Sequence, residues 1–230
     1  MAEYRQLRFV PPPGATVVLL VRHGESEPLD DDRPFALLDG QGDPALAPEG
    51  EAQARRVCGR LARDGVDAVY VTSLRRTAQT AAPLLESLGI EAVVEPDLRE
   101  VFLGEWEGGL LRKMMVEQGP LARRVVDEQR WEIVPGAESS AAFSGRVRRG
   151  LERIAAAQRD RRVAVFTHGG VVGELLAQAT GSRPFAFTGA DNGSISEIVA
   201  DGPRWIVRRF NDTAHLDDGP TRRLGASPES

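Results

Sequence analysis

Cysteine is nearly absent from this 230-residue chain, and the single one, Cys58, can build neither an internal disulfide framework nor a cysteine-based metal site. Histidine is almost as scarce. His23, His168 and His215 are too few for a histidine-rich metal cluster, so no metal is expected. No stretch approaches the ~20 consecutive apolar residues of a membrane span. The early segment RQLRFVPPPGA breaks apolar continuity with arginines and prolines, so it does not read as a signal-peptide core. Positive charge is not in excess either: a formal net charge of -5 argues against a nucleic-acid surface. With 41% hydrophobic and 27% charged residues, the chain reads as one large soluble domain with a sizeable core. A cytoplasmic protein with no membrane or nucleic-acid partner is expected; its oligomeric state is left open.

Residues 1–15 read as an N-terminal arm, stiffened by the PPP at 11–13. VVLLV at 17–21 is an uninterrupted apolar run of strand length, the pattern of a strand covered on both faces. Residues 27–47, rich in Asp, Pro and Gly, read as a long loop. A helix is expected from Pro48, with Ala54, Val57, Cys58 and Leu61 inward, although Ala47 is a poor N-cap. AVYVT at 68–72 is a strand; the helix after it places Ala78, Ala81, Ala82, Leu85 and Leu88 on its inner side. A short strand falls near 92–94. Residues 110–133 read as small helices broken at Gly119-Pro120, a cap insertion. A long helix then aligns Phe143, Val147, Leu151 and Ile154. RVAVF at 162–166 is a strand, 170–179 a helix burying Val171, Val172, Leu175 and Leu176, and two strands near 194–200 and 205–210 close the sheet. The polar segment 217–230 is expected to be a disordered tail. Strands alternating with helices predict an α/β fold with a mostly parallel central sheet covered on both faces.

In such sheets ligands bind beyond the carboxyl ends of the strands. Arg22-His23 follows the first strand, the segment 73–76 the second, and Thr167-His168-Gly169-Gly170 the strand after the cap. Two histidines and one or two arginines therefore converge on one edge. Guanidinium forks match a phosphoryl group and stay charged at working pH, and helix N-termini after Ser73 and His168 add N–H donors. A neutral imidazole there is a capable nucleophile toward phosphorus, so His23 is a candidate to carry a phosphohistidine. The departing alkoxide needs a proton, which calls for a carboxylic acid.

RHGE at 22–25, TSLRRTAQTA at 72–81, DLREVFLGEWEG at 97–108 and THGGV at 167–171, in this order and spacing, resemble the histidine phosphatase superfamily, the phosphoglycerate-mutase-like fold. PGAES at 135–139, DNGSIS at 191–196 and FNDTAHL at 210–216 extend the resemblance across residues 16–216, the expected domain. The resemblance implies a three-layer α/β/α sandwich with no metal or other cofactor, and the 110–133 insertion, read as a small helical cap, suggests a covered pocket and a small phosphorylated substrate. It assigns His23 as the phosphorylated nucleophile and Arg22, Arg76 and His168 as phosphate-binding residues, with Arg75 outside the set. It assigns Glu100, in LRE, as proton donor and then as base toward water; Glu105 and Glu107, in the same irregular segment, stay open as alternatives. Glu25 is expected to orient its neighbours, Asn192 to brace the site or form a turn, and His215 to be structural.

The reaction is a separate question. Mutases of this family carry a lysine-bearing segment soon after the acidic glutamate and an asparagine shortly after the RHGE-type motif; GEWEGGLLRKMM and SEPLDDD depart from both. A metal-independent phosphatase acting on a small phosphomonoester is therefore expected, with phosphoglycerate-mutase-type transfer as the alternative. A catalytically inactive binding module is disfavoured because nucleophile, arginines and acid are all retained. The acidic run 30–32 would repel substrates with several phosphates if it lay at the mouth; Arg112, Lys113, Arg123 and Arg124 in the cap could hold a carboxylate or second anionic group.

Overall fold

The computed structural model describes residues 4–30 and 32–217; Asp31 and, apart from Asp217, the expected tail lie outside the described residues. The first half contains β1 (Thr16–Arg22), β2 (Leu37–Leu38), β3 (Gln41–Gly42), α1 (Pro48–Asp64), β4 (Ala68–Val71), α2 (Arg75–Leu88) and β5 (Val93–Val94). The second contains α3 (Leu110–Glu117), α4 (Pro120–Glu128), α5 (Ser140–Ala157), β6 (Arg162–Thr167), α6 (Gly169–Thr180), β7 (Ile195–Asp201) and β8 (Arg204–Asp212). The main sheet runs β5-β4-β6-β1-β7-β8. Its first four strands are mutually parallel, while β7 and β8 are antiparallel additions at one side.

Side chains alternate across a strand, and in β1 both alternations are apolar. Val17, Leu19 and Val21 enter a core with Val57 and Leu61 of α1 and Ala81 and Leu84 of α2. Val18 and Leu20 enter the opposite core with Phe143 and Leu151 of α5 and Val171 and Leu175 of α6. The uninterrupted run is thus the signature of a sheet between two helical layers. Each fully buried Val, Leu or Phe contributes about 1.5–3 kcal/mol.

α1 begins with an extended Ala47 that offers no side-chain cap; Pro48 at the first turn and the acidic Glu49 and Glu51 near the N-terminal dipole end compensate. Its first turn packs backbone to backbone on the chain leaving β1. A Cβ on Gly50 would lie 2.0 Å from the Glu25 carbonyl, and one on Gly24 would lie 2.4 Å from the Gly50 carbonyl. Cys58 is only half-buried.

α2 corrects part of the expected face. Ala81 is buried and Leu85 and Leu88 pack against the core, but Ala78 and Ala82 face solvent, and Arg76, Thr77, Thr80 and Leu84 are buried as well. Polar groups can occupy the inner face because each finds a partner: Thr80 Oγ1 accepts from the Gly24 N–H and donates to the Arg76 carbonyl, and Thr77 pairs with Thr72. The long loop after β1 also contains an unexpected small hairpin, β2–β3. In the cap, α4 buries Ala122 and Val125 in the core that holds Trp106, while α3 has no fully buried residue.

Candidate active site

β4, β6 and β1 lie side by side and parallel, so their carboxyl ends open on one edge. Arg22 is in register with Thr167, and the His23 N–H donates to the Thr167 carbonyl at 3.0 Å, so the two histidine-bearing strand ends are adjacent. The rings of His23 and His168 meet edge to face with centroids 5.3 Å apart. From the end of β4, Arg76 reaches across from the first turn of α2. Its Nε lies 3.1 Å from His23 Nε2, and its Nη1 donates to the Gly42 carbonyl at 3.0 Å.

His23 is held in one orientation. Its Nδ1 lies 2.7 Å from the Gly24 carbonyl, which can only accept, so Nδ1 carries the proton. Nε2 then presents its lone pair, and accepts from Arg76 Nε. Burial, together with the charges of Arg76 and Arg22, pushes the imidazole well below the usual histidine range. His168 is wholly buried and pushed the same way by burial, Arg76, His23 and Arg22. Its Nε2 meets Thr72 Oγ1 at 3.1 Å, and its buried Nδ1 has no hydrogen-bond partner.

Arg22 donates from Nη1 to the Ala190 carbonyl and has a buried Nε with no partner. Burial lowers Arg22 and takes Arg76 down to about 10, so both remain cations at neutral pH; Glu100 is the strongest influence raising each of them. The Glu100 carboxylate accepts from the Val101 N–H at 3.0 Å and the Gly170 N–H at 3.1 Å. A Cβ on Gly170 would lie 2.3 Å from Glu100 Oε1, so this approach requires glycine.

Of the other acids in that segment, Glu105 is exposed, while Glu107 ties down the Gly42 and Leu103 N–H groups at 2.8 Å each. Arg75 turns away and binds Asp43. Asn192 Nδ2 donates to the His23 carbonyl at 2.9 Å, a bracing contact, and His215 Nε2 meets the Gly193 carbonyl in the same loop at 2.9 Å. Glu25 is exposed on the outer cleft, its N–H donating to Gln53.

His23, Arg22, Ser26 and Arg112 border two cavities. The inner one, about 140 Å³, contains Arg76 and Glu100 and is walled by Phe35, Leu103, Trp106 and Leu111. The outer cleft, about 850 Å³, lies between the loop after β1 and α3, and includes Asp30 and Lys113. Arg112 bridges them, donating to Ser26 Oγ at 2.6 Å and the Glu27 carbonyl at 2.7 Å while resting on the Phe35 ring. Arg123 and Arg124 are exposed on α4, where Arg124 pairs with Glu128. Sequence reasoning missed Gln41, whose Nε2 donates to the Glu100 carbonyl at 2.7 Å, and Thr80; nothing local marks either. Among the described residues no helix is long and apolar enough to cross a membrane.

This fold, with two buried histidines, the buried Arg76 and the half-buried Arg22 at the carboxyl edge of a mostly parallel sheet, defines an α/β protein with a cationic pocket. Residues 18–213 match the histidine phosphatase superfamily (branch 1), and the chain belongs to that superfamily. Phosphoserine phosphatase 1 of Hydrogenobacter thermophilus is 30% identical over 204 residues, spanning 87% of this chain and 94% of that protein. A protein named as a probable phosphoglycerate mutase, from Serratia proteamaculans, is 31% identical over 209 residues with the same 87% and 94% coverage. Among solved structures, the mycobacterial glucosyl-3-phosphoglycerate phosphatase superposes with a TM-score of 0.70 at 25% identity, covering 85% of this chain and 98% of that one.

Proposed function

We propose that this protein is a metal-independent phosphatase that hydrolyses a small phosphomonoester through a phosphohistidine on His23. The observation that carries the reading is the state of His23: Nδ1 hydrogen-bonded to the Gly24 carbonyl, Nε2 bearing its lone pair toward the Arg76 guanidinium, with the Arg22 charge also acting on the ring. Arg22, Arg76 and His168 receive the phosphoryl oxygens. Nε2 attacks phosphorus, the P–N bond forms and the P–O bond to the alcohol breaks, and the Glu100 carboxyl delivers its proton to the departing oxygen. Water then attacks phosphorus and passes a proton to the Glu100 carboxylate; the P–N bond breaks and inorganic phosphate leaves. The charge that builds up on the phosphoryl oxygens is met by cations already in place, so little reorganisation is needed. Relatives carry both phosphatase and phosphoglycerate-mutase names, so the preference for hydrolysis over transfer rests on the departures of GEWEGGLLRKMM and SEPLDDD from the mutase pattern.

The test is phosphate release from a panel of small phosphomonoesters with EDTA present, comparing wild type with His23→Ala. Metal-independent release abolished by the substitution is the expected outcome. Release surviving in His23→Ala would mean another nucleophile. 3-Phosphoglycerate isomerised without phosphate release would move the reading to a mutase, and no turnover on any substrate would favour the binding module.

A further inference from the structure

The Glu100 carboxylate takes its hydrogen bonds from main-chain N–H groups, one of them its own neighbour's, so its place depends on the path of the backbone through residues 97–101. That segment leaves a single 3₁₀ turn, Pro96–Leu98, and continues without regular structure. Besides Gln41 at the Glu100 carbonyl and Thr167, whose Oγ1 donates to the Leu98 carbonyl at 2.8 Å, it is fixed from outside the site already described. From α5, Arg146 spreads its guanidinium over three carbonyls of the segment: Nη1 donates to Asp97 O and Arg99 O at 2.7 Å each, and Nη2 to Glu100 O at 2.8 Å. The far side of the guanidinium is taken by Glu138 in a two-pronged pair at 2.8 and 2.9 Å. Both side chains are 16% exposed, and the guanidinium lies 4.9 Å from the centroid of the buried Phe143 ring. Glu138 is itself built into the same strip of chain, its N–H donating to the Phe102 carbonyl and its Oε2 accepting from the Phe102 N–H.

We propose that Arg146, oriented by Glu138, is the positioning residue for the Glu100 acid; the inference rests on Glu100 having the role given above. A planar fork with several fixed donors can hold successive carbonyls at once, which a lysine ammonium on a flexible stem cannot. Arg146 touches no reacting atom. Without it, three carbonyls lose a donor and the Glu100 main chain keeps its side-chain anchor at Gln41 alone among these two. Small displacements of an acid from its leaving group are costly to proton transfer.

The consequence depends on the substrate. An alkyl phosphate needs its leaving oxygen protonated, whereas p-nitrophenyl phosphate releases a stabilised phenolate and needs little help. The measurement is kcat/KM, which reports the phosphorylation step, for both substrates in wild type, Arg146→Met, Arg146→Lys and Glu100→Gln. For Arg146→Met the alkyl phosphate should lose roughly 10²-fold and the aryl phosphate far less, on the scale that general acids contribute. Glu100→Gln should show the same asymmetry, with Arg146→Lys between wild type and Arg146→Met. If Arg146→Met does not fold, Glu138→Gln takes its place and should shift the ratio in the same direction. Equal losses on both substrates, or no loss, in the Arg146 and Glu138 variants would overturn the positioning role. A Glu100→Gln variant indifferent to the leaving group would instead remove Glu100 as the acid, and the positioning role with it.

Discussion

At His23, the cost of adding a proton is set by three neighbours: a desolvating wall and the two guanidiniums of Arg22 and Arg76. Each disfavours a cation, so the ring stays neutral well into the acid range, and the lone pair on Nε2 survives at pH values where a solvated histidine would have lost it. Arg76→Ala removes one of those charges and the donor to Nε2. The imidazole of His23 should then titrate at higher pH than in wild type, visible in its ring NMR signals, while turnover falls roughly 10²–10³-fold through loss of a preorganised cation. A His23 titration that moved down would contradict the electrostatic account. At Gly170, any side chain meets Glu100 Oε1 at 2.3 Å. Gly170→Ala should therefore lower kcat on alkyl phosphates by about 10²-fold, the scale of a misplaced acid, with the fold retained. Circular dichroism and steady-state kinetics on the same preparation would check both halves.

At the scale of elements, legibility followed packing. β1 and β6 were readable because strands held between two helical layers are apolar on both faces, and α5 because its stripe of Phe143, Val147, Leu151 and Ile154 has large side chains at helical spacing. α2 was read only in part, for the opposite reason. Alanines fit either face of a helix, so Ala78 and Ala82 were misplaced beside the correctly read Ala81, Leu85 and Leu88, and part of the inner face is polar because it serves the site, through Arg76 and through Thr80 at the Gly24 N–H. The residues at the strand ends were legible as motifs, but their supports were not. Arg146, Gln41 and Thr80 act through contacts 46 to 60 residues away in the chain, and locally read as ordinary polar residues.

The helices also differ in how firmly they are held. α3, with no fully buried residue, carries Arg112 and Lys113 onto the outer cleft, and should be the first helix to open. Its amides are expected to exchange with deuterium well before those of β1, β6 or α5; protection equal to α5 would refute this. By contrast, α1 is pinned at its first turn by the Gly24–Gly50 approach, where a Cβ meets backbone instead of a movable side chain. Gly24→Ala should cost about 1–3 kcal/mol through overpacking. A thermal melt should show it as a drop of roughly 2–12 °C for a chain this size.

On the scale of the whole molecule, an acidic protein of net charge -5 encloses a small basic site, and stability should record that arrangement. All three histidines have folded-state values below their ordinary 6.5, His23 and His168 strongly so, each first through burial. The unfolded chain then binds more protons than the folded one once pH falls below 6.5, so this contribution is fully present above that value and is lost on acidification. Each strongly depressed histidine removes about 1.4 kcal/mol per pH unit until its folded-state value is reached. In phosphate-free buffer the melting temperature should therefore fall between about pH 7 and pH 5, before the carboxylates contribute. A curve flat across that window would mean that the buried histidines do not titrate as their surroundings require. Inorganic phosphate should raise the melting temperature and flatten the same slope, because an anion among Arg22, Arg76 and the two imidazoles favours the charged form of each ring. His215, whose depression does not come from Arg22 or Arg76 and whose ring is hydrogen-bonded to Gly193, would keep its share of the slope. Phosphate should therefore reduce the acid lability without abolishing it, and the residual slope should disappear in His215→Gln.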